Sequence, residues 1–403
     1  MTITIDGGIG AATEEFISTA ITEAEEKHTE ALIIKLNTPG GYVNSTRGIV
    51  SSILNSEIPV VVYVSPSGAH AGSAGMFITI TADIAAMADG TNMGSAHPVG
   101  MGGESGDSSD FMTQKVTNDA AAWARSIAEK RGRNKQWAEA ATRQSISNSA
   151  KELLDSNVID IIAPNMDSLI RSLNGWQVIK GSNTYTLNTD NITIIERNKD
   201  WKEELLSVIS DPNIAYIFIL ITIAGFYLEI KAPGSVIPGV VGAISAVLAA
   251  YSLQMLPVNY LGLILIALSF IMFLLEVWVT SYGILSIGGI LSFFLGSIML
   301  IDSPSEIMDI SYSLIITTTI CIAFLFGFVI YFGTKSQFRK NATGLDSMID
   351  KTAVCCKDIE PNSFGEVKIN GERWQAASAT SIKQNERVKV LSVKGLKLTV
   401  IKL

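Results

Sequence analysis

The chain has 403 residues, of which 38 are Asp or Glu and 30 are Lys or Arg, giving a formal charge of −8. That balance argues against binding nucleic acid through a broad basic surface, and a content of 48% hydrophobic and 17% charged residues fits neither disorder nor a wholly soluble protein. Three cysteines and three histidines without ligand spacing supply neither a disulfide framework nor a zinc site, so no metal or cofactor is expected.

Up to about Asp211, short apolar strands alternate with amphipathic stretches, the pattern of an α/β domain. The chain reads from 1–6 as a strand pattern, and no signal peptide is visible in it. The strand at 31–36 ends in Asn37-Thr38-Pro39-Gly40-Gly41, whose paired glycines leave backbone N–H groups unshielded. Such a turn can meet an oxyanion, and an ordinary strand-to-helix turn reads the same way. The strand at 59–64 leads through a loop into an apolar, small-residue helix at 73–78. Ser73 falls in the first turn of that helix, where the dipole and free N–H groups favour developing negative charge. A serine there also serves as a plain cap.

Beyond this helix, His97 precedes Pro98, and a glycine-rich stretch at 100–109 reads as flexible. Lys115 then leads into an alanine-rich helix ending near Gly132, and Asp160 lies in an apolar run at 158–161. Residues 176–212 read as a β-rich linker.

Five apolar runs follow, at 214–230, 236–256, 260–279, 282–301 and 312–332. They read as an all-α transmembrane bundle at 213–333, since about 20 helical residues cover the hydrocarbon core. The first run is short, carries Glu229 near its end and meets Lys231-Ala232-Pro233-Gly234, so a tilted or partly re-entrant helix is expected there. Glu229, Gln254 and Glu276 sit near the ends of runs, where snorkelling or interhelical pairing outweighs a transport role. Tyr227, Trp278 and Tyr282 fit an interfacial belt. Lys335, Arg339 and Lys340 after the last run favour the cytoplasm, and five crossings then set the N-terminal domain outside. An exported domain without a leader implies a processed form or a start placed late, and Arg197, Lys199 and Lys202 vote for the opposite orientation.

The tail at 343–403 holds five short strand patterns, two of them joined by Asn370-Gly371, a strong hairpin signal. Five strands in so short a stretch suit a small closed barrel of the OB or SH3 type. Its Lys and Arg residues come without an aromatic stacking pair, so protein docking is expected of it rather than nucleic-acid binding.

The turn Thr38-Pro39-Gly40-Gly41, followed some 32 residues later by Ala71-Gly72-Ser73-Ala74-Gly75, resembles the Clp-protease/crotonase superfamily. In the tail, the stretch from Gly365 to Trp374 is similar to the Gly-x-Val-x-Ile-x-Gly-Glu-x-Trp stretch of NfeD proteins. The whole plan resembles the long-form NfeD family: a Clp-protease/crotonase-like α/β domain at 1–175, a multi-span membrane domain and an OB-fold barrel. The resemblance implies a serine endopeptidase using a Ser–Lys dyad. Ser73 falls on the nucleophile, Lys115 is taken as the base, and the N–H groups of Gly41 and Ala74 form the oxyanion hole. A lysine serves as a base only when neutral, which demands a desolvated site.

His97 and Asp160 lie about where soluble Clp proteases place a histidine and an aspartate, so a Ser73–His97–Asp160 triad is the alternative. The resemblance further implies a peptide substrate from an apolar flexible segment, a stomatin- or flotillin-type (SPFH) membrane partner, a lipid bilayer and a homo-oligomer. It places the chain in a bacterial inner membrane, with the protease domain extracytoplasmic and the barrel cytoplasmic. The competing reading is a weakly active or inactive scaffold that assembles with the same partners.

Overall fold

Strand and helix alternate through the N-terminal region of the computed structural model, which describes residues 1–98, 107–181, 183–190, 192–232, 234–279, 281, 283–301, 309–337, 345–361 and 363–403. The elements are β1 (Thr2–Asp6), α1 (Ala11–Glu26), β2 (Leu32–Asn37), α2 (Val43–Asn55), β3 (Val60–Val64), β4 (His70–Gly72), α3 (Ala74–Thr81), β5 (Ile84–Met87) and β6 (Asn92–Gly94). After them come α4 (Asp107–Lys130), α5 (Lys135–Arg143), β7 (Ser147–Ser149), α6 (Ala150–Asp155), β8 (Ile161–Ile162), α7 (Met166–Leu173), β9 (Gln177–Lys180), β10 (Asn183–Thr186) and α8 (Trp201–Ile209).

Five strands form one parallel sheet in the order β1-β2-β3-β5-β8. Its central strands are apolar on both faces because helices cover both. Alternate residues divide cleanly between two apolar clusters: Ile34, Val60 and Val62 join α1 to α4 on one face, while Ile33, Val61 and Tyr63 meet α7 on the other. The second face also claims Val178 and Leu187, so the β9–β10 hairpin packs on the sheet. Residues 195–197 run along β1, with Thr2 N–H donating to Ile195 and Arg197 N–H donating to Thr2. The stretch expected as a linker is thus woven into the domain as far as 197. Strands β4, β6 and β7 make a separate three-stranded sheet.

Among the described residues, five helices follow: α9 (Pro212–Lys231), α10 (Ile237–Met255), α11 (Tyr260–Trp278), α12 (Ile284–Met299) and α13 (Tyr312–Gln337). Of these, α9 with 20 residues and α10 with 19 are long and apolar enough to cross a membrane. The first is longer than its apolar run, because the Asp211 carboxylate accepts from the Asn213 and Ile214 N–H groups and starts the helix at Pro212.

Helix α10 is inverted relative to a helix of a soluble bundle. On α10 the buried side holds Gly242, Ser245, Ala249 and Ser252, while Val240, Ile244, Val247 and Tyr251 face outward. Large apolar side chains outside and small or hydroxylated ones inside suit a lipid surround, where close packing and interhelical hydrogen bonds replace the hydrophobic drive. Tyr216 on α9 accordingly meets Ser297 of α12 at 2.8 Å and Thr318 of α13 at 3.2 Å. Glu276 does pair between helices: its carboxylate accepts from the N–H groups of Gly283 and Ser286 at the start of α12, each at 3.1 Å. Tyr282, Arg339 and Lys340 lie outside the described residues.

Residues Met1–Phe324 form one compact unit and Leu325–Leu403 a second. The second contains β11 (Thr352–Lys357), β12 (Phe364–Ile369), β13 (Glu372–Ala377), β14 (Arg387–Lys394) and β15 (Lys397–Lys402), closed in the order β11-β12-β13-β15-β14. Asn370 and Gly371 take φ of +50° and +91°, the two positive values that a type I′ hairpin turn requires. Cys355 is buried in the barrel core, and burial pushes its thiol pKa up.

Candidate active site around Ser73

A short ladder brings the glycine turn to Ser73. Thr38 N–H donates to the His70 carbonyl and Gly72 N–H to the Thr38 carbonyl, both at 2.9 Å. Thr38 is fully buried, and its hydroxyl both accepts from the Gly40 N–H at 3.1 Å and donates to the Gly40 carbonyl at 3.2 Å. The turn is thereby tied down from within.

The two glycines face different neighbours. Gly40 has φ of +128°, and a Cβ built on it would fall 2.7 Å from Ser73 Cβ and 3.3 Å from Ser73 Oγ. Gly41 instead lies against the Ile9 backbone in a parallel bridge, with no space for a side chain. Because Thr38 takes the Gly40 N–H, the free donor of the pair is Gly41, whose N–H has no acceptor among the described residues. The Ala74 N–H likewise meets none of them.

Ser73 is held in a conformation that side chains rarely adopt, with φ +47° and ψ −107°. Such a position costs about 1–3 kcal/mol and persists only where its surroundings enforce it. Here the Ser73 N–H donates to Gly94 of β6, and its carbonyl accepts from Met76 of α3, both at 3.0 Å. The hydroxyl does not cap α3, so the plain-cap reading does not hold. It stands half-buried over the glycine turn.

Lys115 lies on α4, which begins earlier than its alanine-rich part suggests. That helix is clamped over α3 and α2: Trp123 stacks on Phe77 with centroids 4.4 Å apart, and Arg47 lies 4.3 Å over the Trp123 ring. Arg47 also pairs with Asp119 at 2.6 Å. Lys115 is exposed one turn before Asp119, about 12 Å of helix from the Trp123 anchor. No contact between Lys115 and Ser73 occurs among the described interactions. Of the glycine-rich stretch at 100–109 expected to be flexible, residues 100–106 lie outside the described residues and 107–109 already belong to α4.

His97 and Asp160 do not meet. His97 Nδ1 lies 3.1 Å from the Thr142 carbonyl, which requires that nitrogen to carry the proton. Asp160 accepts from the Ala85 N–H at 2.7 Å and pairs with Arg133 at 2.8 Å. Arg133 is only 4% exposed, and its guanidinium also donates to the carbonyls of Ile80, Ala82 and Val158. Asp160 thus neutralises a buried cation that ties the end of α3 to the approach of β8, and the alternative triad is not assembled. Sequence reading missed Thr38, Gly40 and Arg133. Thr38 and Gly40 stood within the quoted turn, but only the fold shows which of its atoms are already engaged.

Residues 1–163 match the model of the NfeD1b N-terminal domain, 213–332 that of the NfeD integral membrane domain, and 345–402 that of the NfeD-like C-terminal, partner-binding domain. The chain is 32% identical over 408 residues to the membrane-bound protease PH1510 of Pyrococcus horikoshii, across 99% of this chain and 92% of that one. It is 27% identical over 420 residues to the membrane protein NfeD1b of Bacillus subtilis, across 99% and 91%. Among solved structures, it is similar to the 1510-N membrane protease specific for a stomatin homolog from Pyrococcus horikoshii. That match has 32% identity and a TM-score of 0.45, covering 52% of this chain and 97% of that one.

Proposed function

Because the chain belongs to the NfeD family of membrane proteins, we propose that it is a membrane-anchored serine endopeptidase with Ser73 as nucleophile and Lys115 as base. The observation that carries this reading is Ser73 itself, strained at the head of α3 and set against a glycine turn rather than used as a cap. Its full-length relative PH1510 is named a membrane-bound protease.

In the proposed reaction, Ser73 Oγ attacks the peptide carbonyl carbon while its proton passes to the neutral amine of Lys115. The oxyanion accepts from the Gly41 and Ala74 N–H groups. Collapse breaks the C–N bond, and Lys115 returns the proton to the leaving amine. Water then attacks the Ser73 ester by the same relay and frees the second product.

The substrate is proposed to be an apolar, flexible segment of a stomatin- or flotillin-type membrane protein. The barrel, matched by a partner-binding domain, would dock such a protein. We further propose a Clp-protease-like fold for the α/β domain, assembly into a homo-oligomer, and multiple crossings of a bacterial inner membrane. The α/β domain would lie outside and the barrel in the cytoplasm.

A second reading, a weakly active scaffold, is favoured by one observation: Lys115 stands exposed without a described contact to Ser73. A fluorophosphonate probe on the purified full chain, mapped by mass spectrometry, separates the two. Modification at Ser73 supports the peptidase; an unmodified Ser73, with and without an SPFH partner, leaves the scaffold.

A further inference from the structure

The side chain of the residue after the glycine pair packs outside the α/β core that made the turn. Tyr42 donates its N–H to Ile9 at 2.9 Å, and its carbonyl accepts from the Thr46 N–H and hydroxyl, so its backbone joins the turn to α2. Its ring does not enter the apolar core of the sheet. It packs instead against the cluster that the apolar helices build from Tyr216, Ala249, Ile266, Phe293 and Ile315.

A Gly-Gly turn has no side chains of its own to hold it, yet an oxyanion donor must keep its place to within about 0.5 Å. On one side the turn is fixed by Thr38 and by the Ile9 bridge. On the other side, the first side chain available is the Tyr42 ring. An aromatic ring with two rotatable bonds transmits displacement well, and its seat belongs to helices whose packing responds to bilayer thickness.

We infer that Tyr42 is a positioning residue through which the helix bundle holds the Gly41 N–H in register with Ser73, so that the bundle forms a working part of the active site. This rests on the reading of Ser73 as nucleophile. A change in helix packing, whether from lipid or from a docked partner, is then felt at the turn one residue away. Binding of the substrate chain is less affected, because Tyr42 acts through the oxyanion donor.

The test uses the full chain in nanodiscs of dimyristoleoyl- or dierucoyl-phosphatidylcholine. It follows hydrolysis of a fluorogenic apolar peptide and the rate of fluorophosphonate labelling at Ser73. The wild type is expected to differ between the two bilayers in kcat. Tyr42→Ala should lose about tenfold or more in kcat at nearly unchanged KM, and its rates should no longer depend on the lipid. Tyr42→Leu is read in the same way if the alanine variant does not reconstitute.

A variant that is merely destabilised would keep the wild-type ratio between lipids, and that result overturns the proposal. A wild type indifferent to bilayer thickness overturns it too. A wild type whose Ser73 never reacts in either bilayer removes the peptidase reading as well, which distinguishes the two failures.

Discussion

Ser73 occupies its place because Gly40 has no side chain: a Cβ on Gly40 would lie 2.7 Å from the Ser73 Cβ. The contact is too short for two tetrahedral carbons, and the Gly40 φ of +128° would strain any other residue. Gly40→Ala should therefore push the turn from Ser73 and slow fluorophosphonate labelling by about a hundredfold or more. Labelling near the wild-type rate would mean that the turn has slack the structure does not show.

The strain at Ser73 yields an ordering between two variants that both lack the nucleophile. Ser73→Gly relieves the positive φ, whereas Ser73→Ala keeps it without the hydroxyl. Both should be inactive, and the glycine variant should be the more stable by about 1 kcal/mol, read as a higher unfolding temperature. Equal unfolding temperatures would argue that Ser73 relaxes in solution.

Lys115 and His97 make opposite predictions. Lys115→Ala should reduce peptide hydrolysis by about a hundredfold or more, and His97→Ala should leave most of it. The second expectation follows from the His97–Thr142 hydrogen bond and from the engagement of Asp160 elsewhere. The reverse pattern would return the base to His97.

Asp160 should behave as a structural residue. Removing it leaves the Arg133 guanidinium buried without its countercharge, a change that costs about 3 kcal/mol. Asp160→Ala should lower the unfolding temperature markedly, while Ser73 labelling well below the transition stays within a fewfold of wild type. Lost labelling in a folded variant would place Asp160 in the chemistry.

Acid should loosen the junction between α1 and the segment before α8. Lys27 and then Arg197 hold the Glu23 carboxyl below the usual carboxylate range through hydrogen bonds at 2.6 Å. A depressed carboxylate pKa stabilises the fold above its unfolded value, and that contribution disappears as pH falls through the folded value. Hydrogen exchange corrected for intrinsic rates should therefore show residues 197–209 losing protection below the usual carboxylate range. Glu23→Gln should remove that pH dependence; a variant that kept it would assign the effect to another group.

Some parts of the protein are legible in the sequence because they rest on local rules. The near-continuous apolar runs at 31–36 and 59–64 read as buried strands, and the fold covers them on both faces. Asn370-Gly371 specifies a hairpin because few other pairs accept two positive φ values. The apolar runs after Asp211 announce a membrane domain by length and composition. Ser73 and the glycine turn were found by their spacing and a family resemblance, the two places being adjacent in space though about 32 residues apart.

Other features depend on partners that no local pattern names. That Gly40 accommodates Ser73 while the Gly41 N–H keeps no acceptor among the described residues follows from the Thr38 hydroxyl and the Ile9 bridge. That Asp160 serves Arg133 rather than His97 follows from how the end of α3 packs against the approach of β8. Composition and periodicity determine which segments become strands, helices and lipid-facing surfaces, because those choices depend on neighbours a few residues away. Only the tertiary structure decides which donors are spent, which charges are paired and where the Tyr42 ring goes, because each is settled by groups far apart in the chain.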